Sequence, residues 1–133
     1  MSNIIATVSN IESCENLHIV NFAFNDVTLS MMSLELNKLI KIGTQVKLNI
    51  KSAQIAIAKN FSGDVSYSNQ LECKIKDMEN GKLLSSIKLQ IGTLYLESII
   101  TVNSSKRMGL KVGDDVTAFI KASDLSILEV INA

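Results

Sequence analysis

Aligned on itself, the chain repeats. "VKLNIKSAQIAIA" at Val46–Ala58 lies over "VTAFIKASDLSIL" at Val116–Leu128, an offset of 70 that sets Lys51 on Lys121. The turns before these runs agree as well, "KIGTQVKLNIK" over "KVGDDVTAFIK", with Gly43 on Gly113. Further upstream the best offset is 67, placing Val8 on Ile75, Ile11 on Met78, and Val20, Phe22 and Phe24 on Ile87, Leu89 and Ile91. The three-residue difference falls between Leu29 and Gly43, where the first copy is shorter. Two copies of roughly 65 residues therefore fill the chain, and a duplicated unit this small restricts the fold to something that closes a core in about that length. The expected domains are 1–65 and 66–133, dividing within Phe61–Tyr67.

Inside each copy the periodicity is that of β-strands. "VNFAF", "IKLQI", "VKLNI", "VTAFI", "LECKI" and "QIAIA" alternate apolar and polar residues at period two. Turn residues separate the runs, at Glu79–Gly81, at Phe24–Asp26 and at Gly43 and Gly113. One segment per copy reads as helical: "SLELNKLIKIG" in the first and "SSKRMGLKVG" in the second, the latter opening on an N-cap-type serine, Ser104. About five strands and one helical turn per copy predict an all-β chain of two tandem OB-like Greek-key barrels. A single barrel of this size buries a modest core, so the copies are expected to pack on one another and on further chains.

Composition narrows the function. Lysine plus arginine and aspartate plus glutamate both number 13, so the formal net charge is zero. Phosphate-tracking proteins carry a basic excess, and base readers favour arginine, of which Arg107 is the sole example. Nucleic acid is therefore disfavoured. No run approaches the roughly 18 apolar residues of a membrane span, and the opening "MSNIIATVSN" has no basic flank or long apolar core of a secretory signal. Cys14 and Cys73 have no paired spacing and read as reduced thiols, placing the chain in the cytoplasm.

The doubled interruption is the feature that bears on chemistry. Each alternating run stops at a lysine followed by two tiny residues, Lys51-Ser52-Ala53 and Lys121-Ala122-Ser123. An ammonium beside a hydroxyl and sterically bare amides makes a compact anion nest. The same pattern also fits a β-bulge with a solvated lysine at a strand end. Elsewhere the residues read as structure. His18 stands alone without metal-ligand spacing, Met31–Met32 suit core or interface packing, and Asp114–Asp115 follow a turn glycine. Phe22 and Phe24 share the Val20 face and belong to a core. Tyr67 is open between a base platform, an anion cover and packing at the junction of the copies. No nucleophile–base pair, metal cluster or phosphate loop is visible, so no catalysis, metal ligand or organic cofactor is expected.

At these residues the sequence resembles the molbindins, built of Mop-type, TOBE-like domains. "SYSNQL" at Ser66–Leu71 looks like the family's opening Ser-x-x-Asn-x-Leu, and "IITVNSSKRMGLKVGDDVTAFIKAS" looks like its longer second motif. The resemblance implies molybdate or tungstate as ligand, and a homotrimer with oxyanions bound between domains. By the same resemblance Ser66, Tyr67, Ser68 and Asn69 of the opening meet Lys121, Ala122 and Ser123 of a neighbouring domain, while Thr101 and Ser104 serve a second kind of site. In the first copy the corresponding residues are Lys51, Ser52, Ala53 and Ser33. Two departures stand out. The family often has arginine where this chain has Ser68, and the first copy retains only "MSN" ahead of its first strand. The expected role is storage or homeostasis of the oxyanion. The alternatives are a sensing module that signals to a separate transporter or transcription factor, and an OB-type nucleic-acid binder, the latter opposed by neutral charge and six aromatic residues.

Overall fold

A computed structural model describes residues 2–132; Met1 and Ala133, the outermost residues of the expected domains, lie outside them. Ten strands form, β1 (Ser2–Cys14), β2 (Leu17–Phe24), β3 (Val27–Ser33), β4 (Gln45–Ile50), β5 (Ala56–Ala58), β6 (Asn69–Asn80), β7 (Leu84–Ile91), β8 (Leu94–Thr101), β9 (Asp115–Ile120) and β10 (Ser126–Asn132). They make two five-stranded sheets, as the alternation predicts.

The order of strands within the sheets is less obvious. One sheet runs β10-β4-β1-β2-β3 and the other β5-β9-β6-β7-β8. The fifth strand of each sheet comes from the opposite repeat: Ser126 of β10 lies across from Asn49 of β4, and Ala56 of β5 lies across from Phe119 of β9. The Lys-small-small interruption is the crossover point. After Lys51 and after Lys121 the chain makes a 3-10 turn, Ser52–Gln54 and Ala122–Asp124, and leaves its own sheet for the other one. These turns pack against β8 and β3 respectively, a close approach that small side chains allow.

The long strands β1 and β6 coil each sheet. The first half of β1 pairs with β4 and the second half with β2, and a bulge at Ser9 bends it between them. A matching bulge at Lys76 bends β6. Inward residues then alternate as expected: Ile4, Ala6, Val8, Phe22, Leu29, Val46, Leu48 and Ile50 are buried in one barrel. Leu71, Ile75, Ile87, Leu89, Leu96, Val116, Ala118 and Ile120 fill the other.

The helical expectation needs correction in the first copy. The helix α1 (Val102–Arg107) forms only in the second, and its N-cap is Thr101 rather than Ser104. Residues 34–44 contain turns and no α-helix. The missing three residues are close to one helical turn, so the shorter loop has no length to spare for it. The helical turn that both copies share is the 3-10 turn after the lysine. Both glycine turns persist: Gly43 and Gly113 sit at φ of +94° and +96°, each donating its N–H to the long strand at Val8 or Ile75.

Candidate functional site

Strand exchange brings the lysine of each repeat against the small residues of the other. A polar depression of about 190 Å³ is lined by Asn49, Lys51, Gln54, Ser123, Asp124 and Ser126. A second, of about 360 Å³, holds Ala53, Gln54, Ala56, Lys121 and Asp124, with Tyr67 at its side. Shifting by 70 carries five of the six residues of the first lining into the second, all but Asn49, while Ile55, Ile99 and Ile100 add an apolar wall that only the second has. The two depressions are thus related by the pseudo-twofold symmetry of the duplication, with Gln54 and Asp124 shared between them.

Local geometry supplies donors at both. Lys51 and Lys121 are exposed, extended N-caps of the 3-10 turns, with no side chain capping either turn. Within the second turn Asp124 N–H donates to the Lys121 carbonyl at 3.0 Å, and Gln54 repeats this on Lys51 at 2.9 Å. The two preceding amides of each turn have no carbonyl partner inside it, as the i→i+3 pattern requires. The interruption is therefore a 3-10 turn that starts at the lysine, one residue past the end of β4 or β9.

Reversal of the small pair has a physical reason. Ser52 is buried against β8 and its Oγ donates to Glu97 Oε1 at 3.0 Å, while Ser86 Oγ donates to the other carboxylate oxygen at 2.9 Å. These two hydroxyls hold the Glu97 carboxyl below its ordinary range. On the other side the equivalent of Glu97 is Ser30, which needs no hydroxyl partner from the turn, and the position of Ser52 is taken by Ala122. Because Glu97's pKa is lowered by folding, its contribution is complete above the unfolded value near 4.5 and fades as pH falls through the folded value. Replacing Ser52 with Ala is expected to cost about 1 kcal/mol at pH 7, a modest figure because the carboxylate faces solvent. In urea unfolding that difference should shrink by pH 3; a pH-independent difference would assign the loss to packing.

The remaining expected residues are placed as follows. Ser66 and Ser68 are exposed on the connector, residues 59–68, and Tyr67 is half-buried. Asn69 sits across from Ile120, so Ser68 and Lys121 leave the ladder side by side within one chain. Asn69 itself is fully buried and grips the other barrel: Ser30 N–H donates to its Oδ1 at 2.7 Å, and its Nδ2 donates to the Ser30 carbonyl at 2.9 Å. Thr101 and Ser104 lie apart from both depressions. Thr101 Oγ1 accepts the Ser104 N–H at 3.1 Å and donates to Ser104 Oγ at 3.0 Å, and Arg107 donates to that same hydroxyl. Ser33 hydrogen-bonds the Glu35 backbone and shares a groove with Ser123 between β3 and β10.

Sequence reasoning passed over Gln54, Asp124, Asn49 and Glu97. The offset of 70 was the available signal, since it pairs Gln54 with Asp124 and Asn49 with Phe119 at the crossover. Other residues read as structure behave so. His18 Nδ1 meets Ser13 Oγ at 2.7 Å across the β1–β2 ladder, Asp114 caps its turn at the Lys111 N–H, and Cys73 is buried, its thiol pushed up to about 12 by desolvation.

Residues 66–127 match the TOBE domain. Molybdenum-pterin-binding proteins 1 and 2 of Clostridium pasteurianum are 35% and 34% identical over 65 residues, which is 48% of this chain and 96% of each of theirs. The chain belongs to the molbindin family. A crystal structure of the cytoplasmic molybdate-binding protein ModG, solved with molybdate bound, superimposes with a TM-score of 0.89 at 23% identity, covering 94% of this chain and 93% of that one. That likeness extends the molbindin fold over both barrels. No helix among the described residues is long and apolar enough to cross a membrane.

Proposed function

We propose that this molbindin binds molybdate or tungstate without catalysis, as a cytoplasmic store of the oxyanion that assembles as a homotrimer. The observation that carries the reading is the pair of symmetry-related depressions, each joining a lysine to a turn of small residues. A tetrahedral dianion loses most of its water when enclosed and needs several donors in exchange. The ammonium of Lys121, the amides of the Ala122–Ser123 turn that follows it and the hydroxyls of Ser66 and Ser68 are donors of the right size, and Ala53 of the other repeat leaves room beside them. Tyr67 covers the Lys121 side. Lys51, with the Ser123 hydroxyl across the seam, forms the weaker counterpart, since the Ser52 hydroxyl is already engaged. Asn69 enters through its clasp on Ser30, which sets where β6 begins, and Thr101 and Ser104, with Ser33 in the first copy, belong to a separate site. Asp124 offsets part of each lysine's charge, which favours release, as a store requires.

Relatives named for molybdenum-pterin binding support the ligand. Assembly is supported by the first sheet, which ends at β10 and β3 with Leu128, Ile131, Met32 and Leu34 exposed.

Thermal denaturation with added anions tests the ligand. A ligand at one hundred times its Kd stabilises the folded state by about 2.7 kcal/mol, so molybdate and tungstate should raise Tm by several degrees where phosphate does not. Lys121→Ala should remove most of the rise. No shift at millimolar molybdate would end the reading. Native mass spectrometry of the same samples would count chains and anions.

A further inference from the structure

The geometry points to Phe119 as a positioning residue that holds the 59–68 connector, and with it Ser66 and Ser68, beside Lys121. This rests on the oxyanion reading above for its consequence, though not for its mechanics.

Topology creates the need. β5 and β6 are consecutive along the chain, yet β9 lies between them in the sheet. The connector must therefore cross the outer face of β9. Alternation puts Val116, Ala118 and Ile120 in the core and turns Phe119 outward, where a phenylalanine would normally meet water. It is only 5% exposed, because the connector covers it. Tyr67 stacks on the Phe119 ring at 5.1 Å with an interplanar angle of 8°, and Phe61 meets it edge-on at 5.1 Å and 82°. The three rings thus pin the connector near both ends to a single strand residue.

Other fastenings are polar. Lys59 Nζ pairs with Asp114 at 3.1 Å and donates to the Gly109 carbonyl at 3.0 Å, and Gln70 donates to the Tyr67 carbonyl. Lys59 fixes only the start of the crossing, and Gln70 bonds within its end. The backbone ladder to β9 begins only at Asn69, and before it Phe119 ties the Ser66–Ser68 end to the strand through the Tyr67 ring. The first repeat has Asn49 at the equivalent position, with its Oδ1 buried and unpartnered. The aromatic clamp therefore belongs to the Lys121 depression and not to its counterpart, which distinguishes the two sites by preorganisation.

Loss of both ring pairs should free the connector and weaken anion binding at this site by about tenfold. The test uses the full chain with Phe119→Leu and Phe119→Tyr. Amide hydrogen exchange should accelerate across residues 62–68 in Phe119→Leu, with β1 to β4 unchanged, and should stay at the parental rate in Phe119→Tyr. Molybdate titration by calorimetry should give about tenfold weaker binding in Phe119→Leu, restored in Phe119→Tyr. Unchanged exchange in the connector would overturn the clamp. Faster exchange with unaltered molybdate affinity would overturn the positioning role. Faster exchange in a chain whose parent binds no molybdate would support the clamp and overturn the oxyanion reading instead. Global acceleration in Phe119→Leu, including β1 to β4, would assign Phe119 to fold stability and overturn the proposal.

Discussion

Ending the chain at Leu125 is expected to unfold the amino-terminal barrel. β10 is hydrogen-bonded along β4, where Ile127 lies across from Leu48 and Val130 from Val46, and both pack against the core. Removing it strips a ladder of bonds worth about 1 kcal/mol each and exposes apolar area on β4 and β3. A loss of roughly 5 kcal/mol or more is comparable with the whole stability of a small domain. Peptide-resolved hydrogen exchange gives the decisive readout. Protection should vanish first in Gln45–Ile50, some 75 residues from the cut by sequence, and in the opening half of β1, about 120 residues from it, while β6 to β8 keep theirs longer. Loss confined to β9 would mean that β10 serves its own repeat.

The second large effect is expected at Asn69. Its side chain is fully buried and satisfies both the N–H and the carbonyl of Ser30 across the barrel junction. Replacing it with alanine leaves a donor and an acceptor in a part-buried position without partners, each costing about 1–3 kcal/mol. A total near 3 kcal/mol should lower Tm by about 10 °C in a chain of this size. Asn69→Asp should be at least as damaging, since a carboxylate accepts the Ser30 N–H but faces the Ser30 carbonyl with a second acceptor. Calorimetry on the three proteins checks the order. A Tm unaffected by Asn69→Ala would mean that the Ser30 backbone finds water instead, and the clasp would carry no weight.

Much of the fold was readable because strand periodicity is local. Val20, Phe22 and Phe24 align with Ile87, Leu89 and Ile91, and the structure pairs both triplets into equivalent strands, β2 and β7, at the offset of 67. Helix over 33–43 was misread for a different reason. "SLELNKLIKIG" has helical residues, but the stretch from Leu29 to Gly43 that holds it is three residues shorter than its counterpart, and the span between strands, not propensity, decides the outcome. At the site, Lys51 and Lys121 were visible as a repeated pattern. Their neighbours were not, because Ser123 approaches Lys51, and Ala53 approaches Lys121, only after the chain has crossed between sheets. The Asn69 clasp was equally hidden: a Ser-x-x-Asn motif carries no trace of Ser30.

Taken alone, the amino-acid sequence determined that there are two copies, that they are β, which residues face inward, and that a lysine and two small residues interrupt each. All of these depend on side chains within a few positions of one another, or on comparing the two copies. The tertiary structure decided which sheet each copy's last strand joins, and hence that both lysine depressions lie at the seam between repeats. That choice turns on long-range pairing between strands of nearly identical pattern. β10 alternates well enough to sit beside either β4 or β9, and in the exchanged pairing the small-residue turns come to rest on β8 and β3.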